Sequence, residues 1–266
     1  MKRQVGLILL ASLALSGCSA FGLGPSPTTT YTDAHGEDVT VDWMNYPANA
    51  GQNGEALLGR PDQTALEPEA RAFIGNLQAA IAAASGLEMT SEESEDDWFS
   101  DEHWFPQQGN GYGGESMLIT VNCCESATDG VPRPAQWQAV LDAASEVTIA
   151  AGLGPLVLEQ DSEEMNIDTD WQKEYRDRYC TREGGECWLW NARVYDGVQW
   201  VDFTIQDAAL DATGVAATWA ENADGQFDNI RVSYGATVVR SGKSEEYARA
   251  MEPFLGLTLP AATTSD

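Results

Sequence analysis

Apolar positions first settle into a regular period between residues 66 and 85, where Phe73, Leu77, Ile81 and Ala84 recur at helical spacing. That spacing predicts a helix from Leu66 to Ser85. Pro68 suits its first turn, Glu67 and Glu69 complement the dipole there, and Gly86 ends it. The period then changes to two. In "MLITVNCCE", Met117, Ile119, Val121 and Cys123 alternate with their neighbours and predict a strand with one apolar face. On that reading Cys123 is buried and Cys124 points to the other side. Trp137, Val140, Leu141, Ala144 and Val147 make the stripe of a second helix, Ala135 to Ala151, stopped by "GLGP". "PLVLEQ" follows as a short strand.

From Asn166 to Arg182 the chain is charged, with Trp171, Tyr175 and Tyr179 at helical spacing. Four strands are predicted next, in "CWLWNARVYDG", "VQWVDFTIQD", "GVAATWAENADG" and "FDNIRVSYGATVVRS", joined by Asp-Gly and other turn signals. A last helix starts at Ser244, whose hydroxyl is expected to cap it, and turns Tyr247, Ala250, Met251 and Phe254 inward. Early helices and consecutive late strands predict an α+β fold, a mostly antiparallel sheet with about three helices packed on one face.

The amino terminus is patterned differently. Lys2 and Arg3 precede an apolar stretch from Val5 to Leu15, well short of the roughly 20 residues that cross a bilayer. Residues 1–17 therefore read as a signal peptide. The string Leu15-Ser16-Gly17-Cys18 resembles the lipobox of bacterial lipoproteins. The resemblance implies that Cys18 receives a diacylglyceryl thioether, becomes the first mature residue and holds the protein at the cell membrane on its extracytoplasmic face. An incidental cysteine after a plain signal peptide is the competing reading. Residues 18–60, rich in Pro, Gly, Asn and Thr, read as a flexible tether, with "VTVDW" from Val39 as a stray strand joining the body. Residues 61–259 are then a single α+β extracytoplasmic domain and 260–266 a disordered tail.

Composition adds limits. Hydrophobic residues make up 43% of the 266, with nine Trp, enough for a proper core. The formal charge is −28, and beyond the leader the lysines are Lys173 and Lys243. Such a field repels nucleic acid, so nucleic-acid partners are set aside. Its simplest reading is a soluble, salt-tolerant surface. Outside the cytoplasm disulfides persist. Cys180 and Cys187 flank the Gly-containing "TREGGE" and are expected to bridge, while the pairing of Cys123 and Cys124 stays open. Zinc is disfavoured because neither pair has the usual spacer and histidine is scarce.

Candidate chemistry is sparse. The chain has no "GxSxG", phosphate-binding loop or "HExxH", and neither His35 nor His103 has a persuasive nucleophile nearby. No catalytic residue, metal ligand or cofactor is assigned. The acidic stretch 92–102, with Trp98 and Trp104 beside it, reads as a cation or basic-partner site or, more simply, as a solvated loop. "ENADGQFDN" is a faint calcium loop that a turn at Asp224-Gly225 explains equally. The better binding hint is aromatic. Trp200 falls opposite Val201, Phe203 and Ile205, and with Trp188 and Trp190 on the adjacent strand it forms a surface for stacking a sugar or aromatic ligand. Burial of the three under a helix or loop is the competing reading.

The helix "PAQWQAVLDAASEVTIAAGLG" leading into "PLVLEQ", with the late "YGATVVRS", is similar to the small lipoproteins of actinobacteria such as the mycobacterial LppA-like group. The likeness spans residues 60–258. It implies a tethered α+β body outside the cytoplasm and no particular activity, and it carries over Cys18 alone as a functional residue. A cysteine expected near the last strand is missing from "YGATVVRSG", so no disulfide pattern is carried over. The reading that follows is a non-catalytic, lipid-anchored protein binding an envelope component or a partner protein. The alternative is an extracytoplasmic hydrolase using a carboxylate pair.

Overall fold

The computed structural model describes residues 25–33, 35–91, 93–161, 174–175, 177–180, 187–221 and 227–263. The signal peptide, Cys18, Trp171 and the Asp224-Gly225 turn lie outside the described residues.

The chain enters as a hairpin of β1 (Thr28–Thr32) and β2 (Asp38–Asp42), whose alternating Thr and Val residues suit extended pairing. The segment after it was expected to be tether, and it is packed instead. Trp43, Tyr46, Ala48 and Leu57 are all at most 2% exposed and belong to the main core. The Tyr46 hydroxyl accepts from Gly54 N–H at 2.8 Å and donates to Gln52 C=O at 3.0 Å. Gly and Asn in this stretch mark tight turns, and its three large apolar side chains, Trp43, Tyr46 and Leu57, decide its burial.

Helix α1 (Gln63–Ser85) begins three residues before the expected start because Asp62 caps it, accepting from Thr64 and Ala65 N–H at 3.1 Å. Pro68 therefore lies inside the helix rather than in its first turn. Leu66, Ala70, Ile74, Leu77 and Ile81 form the buried face, while Phe73 and Ala84 lie at its edge, toward the second helix. That helix, α2 (Trp137–Ala150), packs beside α1 and buries Trp137, Val140, Leu141 and Ala144.

The main sheet comprises β3 (Met89–Ser91), β4 (Trp104–Pro106), β5 (Leu118–Thr128), β6 (Val157–Leu158), β7 (Leu189–Tyr195), β8 (Gln199–Gln206) and β9 (Asn229–Val239). Its order is β3-β5-β9-β8-β7-β6, with β4 also paired to β5, and every pairing is antiparallel. The fold is α+β, as the element pattern predicts. Val201, Phe203 and Ile205 share the helix-covered face with Cys123, Val232 and Tyr234, and the Phe73 ring meets Tyr234 at 5.9 Å.

Some elements differ from expectation. "GVAATWA" is not a strand but helix α3 (Val215–Ala220), because Asp211 accepts from Ala216 N–H at 2.8 Å and Thr213 N–H at 2.7 Å and turns the chain into a helix. Helix α4 (Ser244–Met251) has no side-chain cap; the Ser244 hydroxyl sits 3.5 Å from Asp62 instead. Tyr247, Met251 and Phe254 are buried as expected. The last described residues are paired rather than loose, with Thr263 N–H donating to Gly111 C=O and the Tyr112 hydroxyl to Pro260 C=O, both at 2.8 Å.

Candidate functional site

On the sheet face away from α1 and α2, antiparallel register lines up Asn122, Gly235, Trp200 and Tyr195 across β5, β9, β8 and β7. Directly opposed residues share a face, so their side chains converge. The next row holds Ser233, Asp202 and Arg193. Gly235 is what lets the row close up. A Cβ built there would lie 2.0 Å from Trp200 Cζ2, so the indole rests directly on the glycine backbone.

At the β5 edge of this surface Cys123 and Cys124 are joined to each other by a disulfide, with Cα atoms 3.7 Å apart. The expectation that they point to opposite faces fails because the strand is not regular there. Register with β9 shifts between Cys123 and Ser126, and Cys124 takes a left-handed φ of 68°. Both cysteines are buried among the strands yet line the surface cleft. The loop before β4 overhangs it, held by His103 Nε2 to Glu93 Oε2 at 2.9 Å. The enclosed space is about 400 Å³ and runs from Trp200 and Asp202 across Ser233 to Asn122, the disulfide and Glu125.

Each acid in the cleft is engaged. Asp202 meets Arg193 at 3.3 Å, Glu125 meets Arg231 at 2.8 Å and Glu93 meets His103. The Arg193 guanidinium also lies 5.9 Å from the Trp200 ring centre, and the Tyr195 ring stands edge-on to it at 6.4 Å. Partial burial raises the Asp202 carboxyl above its ordinary range, with Arg193 pulling the other way. A raised carboxyl costs stability as pH rises from the unfolded pKa through the folded one. The Tm difference between Asp202→Asn and the parent is therefore expected to grow in the variant's favour across that acidic window and then level off. A difference independent of pH, followed by thermal melts, would contradict it.

The three expected stacking residues do not come together. Trp190 opposes Ile205, faces the helices and stands edge-on to Trp137 at 5.5 Å. Trp188 is 1% exposed in a separate small core with Leu189 and Ala216, its ring 5.5 Å from both Tyr179 and Trp219. Its Nε1–H donates to Arg178 C=O at 3.2 Å. Both are packing residues, because β7 turns Trp190 to the covered face while Trp188, just before β7, is buried against Ala216 and Trp219 of α3. Trp200 alone of the three lines the outer cleft. Cys180 and Cys187 form a disulfide of 2.05 Å that closes the segment carrying Tyr179 against Trp188. Among the described residues no group of three or more His, Cys, Asp or Glu is arranged to hold a metal ion.

Gly235, Asn122 and the Cys123–Cys124 pair were not singled out from sequence as a site. A glycine in the middle of "VSYGATVV" and two adjacent cysteines were the available signals. A larger groove of about 840 Å³ between α1 and α2 is lined mainly by alanines, Phe73 and Val147, with Glu69, Asn76 and Glu146 as its polar groups.

No family model and no curated protein matches the chain. Among solved structures it is similar to that of a protein described as the lipoprotein LppA of Mycobacterium tuberculosis. The two share 7% identity and a TM-score of 0.41, over 80% of this chain and 90% of that one.

Proposed function

We propose that this chain is a lipid-anchored extracytoplasmic protein that binds an envelope component through the outer sheet cleft without converting it chemically. One observation carries the binding reading. Trp200, on a polar sheet face, is given a glycine seat and is flanked by Arg193, Asp202 and Asn122, an arrangement that core packing does not require. The lipobox-like "LSGC" supports attachment through Cys18, and by Pro27, whose C=O accepts from Trp43 N–H at 3.0 Å, the chain is already tied to the body. Hydrolysis by a carboxylate pair is less well supported, because Glu125 and Asp202 each pair with an arginine and Glu93 contacts His103, rather than two carboxyls being left to share a proton or activate water.

The test is crosslinking from intact cells followed by recovery of the protein. Parental chain is expected to bring down one envelope component reproducibly, and Trp200→Ala to reduce that recovery by about tenfold. Equal recovery with the folded variant would overturn the reading.

A further inference from the structure

We infer that the cleft takes a neutral sugar ring, seated beside the Trp200 indole with the Cys123–Cys124 disulfide as its opposite wall. This rests on the cleft being the binding site proposed above, and it names the class of ligand.

The walls come from strands on either side of β9. Trp200 rises from β8 and lies over Gly235, while the disulfide sits at the bulge of β5, two strand spacings or about 10 Å from the β8 backbone. Ser233 and Tyr234 line the floor between them, and Gly235 lies beneath the indole. The volume, about 400 Å³, falls near the lower end of the ~300–1,000 Å³ typical of small-ligand sites. It suits one or two rings rather than an extended chain. Indole and disulfide are both apolar surfaces without an exposed charge, and they match the C–H face of a pyranose.

Charge selects against ions. Asp202 and Glu125 already pair with Arg193 and Arg231, and Glu93 contacts His103, so a charged ligand competes with a resident partner at each acid. Anions also meet the field of a chain with formal charge −28. What the cleft does offer is a rim of hydrogen-bonding groups. The Asn122 amide, the Ser233 hydroxyl and the second oxygen of Asp202 are committed to no other side chain among the described residues. Together they supply donors and acceptors at the height of a ring's hydroxyls. A flat aromatic ligand would use the indole and leave that rim unpaired, at a cost.

The experiment is titration of the mature chain with N,N′-diacetylchitobiose and with cellobiose, following tryptophan fluorescence and heat, with a glucuronate-containing disaccharide as the charged comparison. At least one neutral disaccharide is expected to saturate at millimolar concentration or below and to bind about tenfold more tightly than the charged one. Trp200→Ala and Gly235→Ala should each weaken it by about tenfold, the second by displacing the indole without removing it. The Cys123→Ser/Cys124→Ser double variant should weaken it several-fold, and Trp188→Phe should leave it intact as the core control. Near-UV circular dichroism establishes that each variant is folded.

No saturation by either neutral disaccharide up to roughly 10 mM, or binding indifferent to Trp200→Ala, overturns the sugar assignment. If the crosslinked envelope component still depends on Trp200 in that case, the cleft stands as the site and only the ligand class is wrong. If nothing recovered depends on Trp200, both readings fall.

Discussion

Asn110→Ala is expected to cost about 3 to 5 kcal/mol of stability, the largest loss from any single polar side chain in the fold. Asn110 is 0% exposed. The two N–H donors of its Nδ2 group are shared among three carbonyls of the amino-terminal segment, Trp43 at 3.1 Å, Met44 at 3.0 Å and Tyr46 at 2.8 Å. Its Oδ1 accepts from Tyr112 N–H at 2.9 Å and Gly114 N–H at 3.0 Å. One amide thus ties two backbone segments that approach so closely that a Cβ on Gly114 would sit 1.8 Å from Met44 C=O. Trp43 C=O keeps its bond from Tyr46 N–H at 2.9 Å. Alanine nonetheless fills almost none of that space and removes the Asn110 partner of the Met44 and Tyr46 carbonyls and of the Tyr112 and Gly114 N–H groups, each worth about 1–3 kcal/mol when water cannot reach it. The expected readout is a Tm lower by roughly 10 °C or more. Asn110→Asp should fail similarly, because a carboxylate accepts from the two N–H groups but cannot donate to the three carbonyls. A loss below about 1 kcal/mol would mean that the aromatic contacts of Trp43 hold the segment by themselves.

The second large effect is on location. Cys18→Ser is expected to move the protein entirely from the membrane fraction to the soluble one, with loss of the acylated mass at the mature amino terminus. An acyl chain contributes about 0.8 kcal/mol per buried methylene, and two chains are needed for a stable anchor. A serine can accept no thioether. No helix among the described residues is long and apolar enough to cross a membrane. Continued sedimentation of the Ser variant with membranes would show that attachment runs through another surface and not through Cys18.

Strands β7 and β8 and helices α1, α2 and α4 were legible because each has one wet and one dry face, so apolar residues recur at period 2 or 3.6. Strand β9, buried on both faces, was legible from its β-branched run and flanking turns. The errors fall where a single side chain overrides composition. Asp211 turns an apparent strand into α3, and Asp62 starts α1 early enough to place Pro68 inside it. The amino-terminal segment looks like a linker because Gly, Pro and Asn dominate it. It is structured because Asn110, more than sixty residues later, supplies the partners its carbonyls need.

The candidate site divides the same way. Alternation along β8 correctly put Trp200 opposite Val201, Phe203 and Ile205, since side-chain direction follows from local backbone geometry. Alternation along β7 likewise puts Trp190 with Ala192 and Val194, on the covered side. What no local pattern contains is which residues stand beside Trp200. Gly235 and Asn122 lie in its row because β9 and β5 pair in one particular register. The two cysteines bond because a bulge lets Cys124 leave the strand conformation. By itself the sequence determined the class of fold, the faces of the regular elements, the acidic surface and a terminus that ends in a lipobox-like cysteine. These are properties of neighbours in the chain. Tertiary structure decided that Val41, Trp43, Tyr46, Ala48 and Leu57 of the supposed tether join the core and that one tryptophan of three has a cleft. It also brought a glycine, an asparagine and a disulfide together around it, because pairing register and long-range hydrogen bonds act between residues that are far apart in sequence.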